Sequence, residues 1–183
     1  RLQCSLNSPM REMVLVAYCL GMRQREILEL TWDNVDFESN FIRLSGMETK
    51  TGFKRRIPIH PRVREMLINL PRGLHTNRVF LNRGKPINNF SGNYKLQWDR
   101  AVKEAELGDF TFHDLRHCAI NNLRLTGNDH FTIMAISGHR TTSVFRRYNV
   151  VTEEELQNVK WKPDENLGVH IGVHHSRKSG ELG

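Results

Sequence analysis

The sequence predicts an α+β domain that is mainly α-helical and carries a small antiparallel β-sheet. Apolar residues recur at helical spacing along most of the chain, and this period gives way to short β-branched runs only between residues 41 and 59. A turn-rich stretch separates those runs, as in a hairpin. With 183 residues, of which 38% are hydrophobic, the chain is long enough for one domain with a sizeable core.

Each element follows from a local pattern. The first helix is predicted to start behind Ser8 as its N-cap and to stop at Gly21, and Pro61 suits the first turn of the helix after the hairpin. The hairpin strands cover residues 41–45 and 55–59, with Lys50 in the turn region between them. Helices are predicted over residues 9–20, 23–32, 61–70, 88–105, 113–125, 129–136, 141–148 and 153–161.

The chain is basic, and the excess charge lies in its first 161 residues. There are 27 Lys and Arg residues against 20 Asp and Glu, a net charge of +7. Residues 162–183 have no periodic pattern and contain three basic and three acidic residues, so they are predicted to form a flexible, neutral tail. A positive domain of this kind favours an anionic partner, either nucleic acid or an acidic membrane surface.

Cysteine usage and hydropathy limit the protein class further. Three cysteines without a CxxC pair argue against a disulfide framework and a cysteine-rich zinc site, and they fit a reducing cytoplasm. The longest apolar stretch, residues 13–22, is about half of what a membrane span needs, and no signal peptide precedes it, so we expect no membrane association. Because the chain begins at Arg1 without a Met, we expect it to be part of a longer protein.

Two basic clusters are candidates for contact with a phosphate backbone. Residues 50–64 hold six basic side chains and no acidic one, and a second cluster of Arg140, Arg146 and Arg147 surrounds Tyr148. Either cluster alone is more typical of a solvated edge protected by charge. Two clusters in one small domain favour nucleic acid.

The string His113-Asp114-Leu115-Arg116-His117 admits three interpretations. The two histidines have the H-x-x-x-H spacing of a zinc site, with Asp114 in the position of a general base, but no strong third ligand follows nearby. Alternatively, His113 and Arg116 on one helix face form half of a site for phosphate oxygens. The structural alternative is a helix with a buried histidine and a surface arginine.

Three further groups carry reactive or anion-binding side chains. His139 follows a glycine break at Gly138, and Tyr148 lies in basic surroundings that would stabilise a phenolate nucleophile. Arg23 precedes Glu26 by three residues, which alone is an ordinary helical ion pair.

The order of these motifs resembles that of the tyrosine recombinase (phage integrase) family. The matching strings are Gly21-Met22-Arg23 followed by Glu26, Thr49-Lys50-Thr51-Gly52, His113-Asp114-Leu115-Arg116-His117, Gly138-His139 and Arg147-Tyr148. Together they extend over almost all of residues 9–161, and five matches in order are a specific signal where each alone is weak. The departures from the family pattern are Cys19 and Leu20 where a threonine is common, and Ser137 where leucine is usual, which we expect to loosen the packing behind His139.

The resemblance implies a catalytic domain that breaks and rejoins DNA strands without a metal or other cofactor, through a 3′-phosphotyrosyl intermediate. The implied catalytic residues are Arg23, Lys50, His113, Arg116, His139 and Tyr148. Residues 1–161 would form this domain, with the family's N-terminal core-binding domain absent. Double-stranded DNA would be the partner, with a homotetramer on paired DNA sites in the full-length protein and a monomeric isolated fragment. Two alternatives stay open, namely a DNA-binding domain of the same fold without cleavage activity, and a zinc hydrolase built on His113 and His117.

Overall fold

A computed structural model describes residues 2–45 and 54–139 of the chain, together with the isolated helical positions 153 and 157. Apart from those two positions, the described residues belong to a compact unit, Arg1–Tyr148, and a second unit covers Asn149–Gly183. Within this part of the chain no helix is long and apolar enough to cross a membrane. The helix predicted over residues 141–148, the tail, Lys50 and Tyr148 fall outside it, as do the turn of the predicted hairpin and all of the helix predicted over residues 153–161 except positions 153 and 157.

The described elements follow the predicted order of two helices, a sheet and four further helices, with one addition, a short pair of strands after the third helix. In chain order they are α1 (Met10–Leu20), α2 (Gln24–Leu28), β1 (Val35–Asp36), β2 (Phe41–Leu44), β3 (Arg55–Pro58), α3 (Pro61–Asn69), β4 (Leu81–Asn82), β5 (Lys85–Pro86), α4 (Asn93–Glu104), α5 (Asp114–Leu125) and α6 (His130–Ser137). Short 3-10 turns lie at Leu2–Ser5 and Trp32–Asn34.

The predicted antiparallel pairing of two strands is confirmed, and a third strand joins them. The strands β1, β2 and β3 form one antiparallel sheet in that order, with Ile42 opposite Ile57. Both isoleucines are fully buried, because alternate residues of a strand point to the same face and this face packs on the core. A separate two-stranded sheet joins β4 and β5.

One apolar core joins α1, the inner face of the sheet, α3, α4 and the start of α5. The helix α1 supplies buried apolar side chains at helical spacing, including Met10, Met13 and Ala17. An aromatic cluster packs against α4 around Trp98. The ring centroid of Phe112 lies 4.9 Å from that of Phe90 and 5.4 Å from that of Trp98. The Trp98 indole donates a hydrogen bond to the Phe110 carbonyl, so its polar edge is paired inside the cluster.

Three predicted helix boundaries were wrong. Pro9, not Ser8, is the N-cap of α1, and no side-chain hydrogen bond caps that helix. Helix α2 ends at Leu28 rather than residue 32, because the Trp32 N–H donates to Asn77 O and Leu30 O accepts from the Val79 N–H. Helix α4 begins at Asn93 rather than residue 88, since the apolar residue Phe90 that extended the period packs from the preceding loop.

Two glycines in left-handed conformation bring the elements of the later site together. Gly21 ends α1 at φ 63°, and a Cβ there would lie 3.4 Å from the Ala119 Cβ on α5. Gly138 ends α6 at φ 72°, and a Cβ there would lie only 2.6 Å from Nη1 of Arg55 on β3. Glycine therefore serves both the backbone conformation and the close approach at these helix ends.

Leu67→Ala should lower the free energy of unfolding by about 2–5 kcal/mol, because it opens a cavity where the side chain is 1% exposed. Its neighbour Ile68 on the same helix is 55% exposed, so Ile68→Ala should change the same quantity by less than about 0.5 kcal/mol. Urea unfolding followed by circular dichroism measures both. Similar losses for the two variants would contradict this assignment of the buried face of α3.

Gly138→Ala should destabilise the protein more than Gly84→Ala does. Both glycines have positive φ, 72° and 77°, so both alanine variants should lose about 1–2 kcal/mol through backbone strain. A Cβ at Gly84 meets nothing within 4 Å, whereas at Gly138 it meets buried Arg55. The contact should cost about 1 kcal/mol or more in addition, measured by the same unfolding experiment. Equal losses would show that Arg55 moves aside freely.

Candidate active site

The described site residues converge where four parts of the chain meet. Arg23 lies between α1 and α2, Arg116 lies on the first turns of α5, His139 follows α6, and Arg55 begins β3. His113 is the N-cap residue of α5. The structure thus brings together four of the six predicted catalytic residues, and the other two, Lys50 and Tyr148, lie outside the described ranges.

Glu26 is the carboxylate at the centre of this site. Its side chain is 2% exposed, and its Oε1 accepts hydrogen bonds from Arg23 Nη1 and Arg55 Nη1, both at 2.9 Å. Its Oε2 accepts from the Arg23 backbone N–H at 2.7 Å and from Arg55 Nη2 at 2.6 Å. Burial raises the pKa of Glu26, but the hydrogen bonds and charge of Arg55, together with the hydrogen bonds of Arg23, outweigh burial and hold the pKa below its usual value. The carboxylate is therefore ionised at neutral pH.

Arg23 is anchored at two points and remains accessible. Nη1 binds Glu26, and Nη2 donates to the Gly138 carbonyl oxygen at 3.2 Å. Its side chain is 21% exposed. The pair with Glu26 that looks ordinary in the sequence is thus part of a buried network that extends to the end of α6.

Arg116 lies beneath this surface. Its side chain is 1% exposed, Nη1 donates to the Gly21 carbonyl oxygen, and Nη2 donates to the Ser137 carbonyl oxygen at 2.6 Å. Burial and the positive charge of Arg23 lower the pKa of Arg116 to about 9, partly offset by Glu26. The guanidinium thus stays cationic at neutral pH. The structural alternative of a surface arginine is therefore wrong, whereas of the two histidines His113 is exposed and His117 is half-buried.

His139 connects Arg116 to Ser137. Arg116 Nη2 lies 3.0 Å from His139 Nε2, and Ser137 Oγ lies 2.9 Å from His139 Nδ1. Burial, then the charges of Arg116 and Arg23, lower the pKa of His139 to about 4. The ring is therefore neutral at pH 7, and because a guanidinium can only donate, Nε2 accepts from Arg116 and Nδ1–H donates to Ser137. The expectation that Ser137 loosens the packing was wrong, since Ser137 is buried and bonds the ring.

His113 has the properties of a proton acceptor at the edge of the site. Its ring lies 4.8 Å from that of His117 between centroids, at nearly a right angle. Burial of part of the ring and the charges of His117 and Arg116 lower the pKa of His113. A neutral, exposed imidazole beside two arginines can take a proton from a nearby hydroxyl.

The geometry of the described residues does not support the zinc interpretation. Asp114, its candidate base, accepts hydrogen bonds through one oxygen from the Thr111 N–H and hydroxyl, both at 2.7 Å, which tie it to the turn before α5. Among residues 2–45 and 54–139 no group of three or more His, Cys, Asp or Glu side chains is placed to hold a metal ion.

Sequence reasoning missed Arg55 and the hydroxyl of Ser137. In the sequence, Arg55 is one of six basic residues in the run over residues 50–64. The signal that marks it is its position, because along β3 Arg55 and Ile57 alternate inward while Arg56 and Pro58 point outward. An arginine in an inward position of a strand requires a buried partner.

The chain is similar to known proteins of one family. The model of the phage integrase family matches residues 3–155. A shufflon-specific DNA recombinase of Escherichia coli is 36% identical over 129 residues, which cover 70% of this chain and 31% of that protein. The chain spans about a third of the length of this relative and about half of the length of the XerD and XerC tyrosine recombinases that it also matches.

Solved structures share the fold. The catalytic domain of bacteriophage HP1 integrase superposes with a TM-score of 0.63 at 22% identity, covering 86% of each chain. A lambda integrase dimer bound to a COC′ core site gives a TM-score of 0.65 at 20% identity, covering 88% of this chain and 58% of that one. The predicted fold, mainly helical with a small antiparallel sheet, is confirmed. Because the family model covers most of the chain, the chain belongs to the phage integrase family of tyrosine recombinases.

Proposed function

We propose that this chain is the catalytic domain of a site-specific DNA recombinase that cleaves and rejoins double-stranded DNA through a 3′-phosphotyrosyl intermediate. The observation that carries the proposal is the charge at the site, where three arginines surround one buried carboxylate and leave an excess of two positive charges. An anion compensates that excess, and a phosphodiester does so while gaining further charge in its transition state. Similar proteins support this function, since they include a shufflon-specific DNA recombinase and a lambda integrase dimer bound to a COC′ core site.

Arg23 and Arg116 would bind the non-bridging oxygens of the scissile phosphate. Both are held by carbonyl groups of the same turn, Arg23 by Gly138 and Arg116 by Ser137, so their guanidinium groups are already oriented before DNA binds. Such preorganised donors stabilise developing charge without a cost of reorganisation. The sequence motif makes His139 a further donor. Because its Nε2 accepts from Arg116 in the neutral ring, this role would require protonation, which the negative charge of a bound phosphate would favour.

The covalent step transfers the phosphoryl group from one oxygen to another. The Tyr148 oxygen attacks phosphorus and forms the new P–O bond, His113 takes the tyrosine proton, and the bond from phosphorus to the 5′-oxygen breaks. Lys50 donates a proton to the departing 5′-oxygen, and the reverse attack by a 5′-hydroxyl rejoins the strand. The roles of Lys50 and Tyr148 rest on the sequence motifs, whereas that of His113 also has its exposure and lowered pKa in support.

The remaining expectations about assembly stay predictions. The full-length protein would act as a homotetramer on paired DNA sites, and the isolated fragment would be monomeric and bind DNA more weakly. The proposed domain of residues 1–161, the flexible tail and the cytoplasmic location are predictions of the same kind.

Tyr148→Phe should abolish a covalent protein–DNA adduct that the unaltered chain forms on its recombination site. A nick near the cleaved bond releases the short strand that carries the 5′-hydroxyl, so the adduct accumulates on a denaturing gel. DNA recovered with the adduct from a library of nicked duplexes identifies the site. Tyr18→Phe, a matched change at an exposed tyrosine of α1, should leave adduct formation unchanged.

The same gel separates the alternatives. An adduct that survives Tyr148→Phe would refute the nucleophile. Salt-sensitive DNA binding without an adduct on any nicked duplex would favour the domain that binds but does not cleave. Stoichiometric zinc by elemental analysis, with activity lost to a chelator, would favour the zinc hydrolase.

The rate of adduct formation at subsaturating DNA should fall in acid with a half-maximal pH below 6.5, the ordinary value for histidine. His113 must be neutral to accept the tyrosine proton, and its surroundings lower its pKa, so the active form persists to lower pH than for a free imidazole. Initial rates between about pH 4.5 and 8 test this. His113→Ala should be slow throughout and lose this acid limb. A half-maximal pH above 6.5, or an unchanged limb in that variant, would contradict the assignment.

A further inference from the structure

A second arginine, outside the predicted catalytic set, binds the carboxylate that orients Arg23. Arg55 begins β3 and is buried, and its Nη1 and Nη2 atoms bind the two oxygens of Glu26 at 2.9 and 2.6 Å. This two-point pairing fixes the plane of the carboxylate as well as its distance. Glu26 is on α2, so the pair also joins the sheet to the helix that carries Arg23 at its N-terminus.

Arg55 and Arg23 both bind each of the two carboxylate oxygens of Glu26. Each oxygen accepts one hydrogen bond from Arg55 and one from Arg23, through Nη1 of Arg23 at Oε1 and its backbone N–H at Oε2. If the Arg55 bonds were lost, the carboxylate could rotate while keeping one bond to Arg23. Its present orientation therefore depends on both arginines.

Arg55 also packs against the other support of Arg23. The Arg55 side chain lies so close to Gly138 that a Cβ on that glycine would be 2.6 Å from Nη1 and 3.2 Å from Cδ. The Gly138 carbonyl oxygen accepts from Arg23 Nη2, and the preceding carbonyl, of Ser137, accepts from Arg116. One side chain from β3 thus binds Glu26 and lies against Gly138, the two residues that hold the Arg23 guanidinium.

We infer that Arg55 is a positioning residue for strand cleavage, which holds Glu26 and the Gly138 turn so that Arg23 points at the scissile phosphate. The inference rests on the proposed function. Arg55 is buried and both of its terminal nitrogens bind Glu26, so it acts through Arg23 and not on the DNA.

The test is Arg55→Lys, measured by single-turnover adduct formation on nicked DNA at saturating concentration. Lysine keeps the charge but has one nitrogen, so it cannot bind both carboxylate oxygens in the plane that arginine imposes. We expect the rate constant to fall about tenfold to a hundredfold, because a small misplacement of a catalytic group lowers the rate by such factors. The fraction of molecules that react and the DNA affinity should stay close to those of the unaltered chain.

Two further variants give the comparison. Arg25→Lys makes the same change on α2 in an exposed ion pair with Glu29, at 2.7 Å, and should leave the rate constant unchanged. Glu26→Gln should lower the rate constant, and adding Arg55→Lys to it should lower it little further, because the two side chains act through one contact.

Each result decides the question. A normal rate constant for Arg55→Lys overturns the inference. A smaller reacting fraction with a normal rate constant also overturns it, since Arg55 would then support only folding. If the fold-losses in rate constant of the two single variants multiply in the double variant, Arg55 acts independently of Glu26, which contradicts the inference. If the unaltered chain forms no adduct on any nicked DNA, the proposed function fails and the inference fails with it.

Discussion

The buried carboxylate of Glu26 is the constraint on which the arrangement of the site depends. A carboxylate that is 2% exposed must be paired, because burying an unpaired charge destabilises the fold. Removing one partner of a buried ion pair typically lowers the free energy of unfolding by about 3–5 kcal/mol. Four donors from two arginines satisfy it. One arginine comes from the start of α2 and the other from the sheet, so folding this carboxylate into the core brings both elements to one point.

The C-terminal end of α6 contacts the same group of arginines through its backbone carbonyl oxygens. Gly138 lets Arg55 approach, and the carbonyl groups of Ser137 and Gly138 accept from Arg116 and Arg23. Carbonyl oxygens orient guanidinium groups without neutralising their charge. Glu26 neutralises only one of the three arginine charges. The cluster therefore combines fixed geometry with positive charge, which is what stabilisation of a phosphodiester transition state requires.

Local patterns predicted the elements well and their ends less well. The buried faces of α1 and the pairing of β2 with β3 follow from period and turn chemistry. The early end of α2 does not, because it depends on backbone hydrogen bonds to residues 77 and 79, far along the chain. Phe90 matched the helical period of α4 but packs from a loop, which shows how an apolar residue before a helix extends the apparent pattern.

The sequence by itself determined the family, the fold class and the identity of the candidate catalytic residues, because motif type and order are properties of the chain alone. Only the tertiary structure decided which of them are buried, and with which partners. Arg116 lies inside and His113 outside, and Ser137 bonds the ring of His139. Arg55, one charge among many in a basic run, binds Glu26 across two elements. Periodicity shows which face of an element is apolar, but a contact between distant residues depends on how the elements pack.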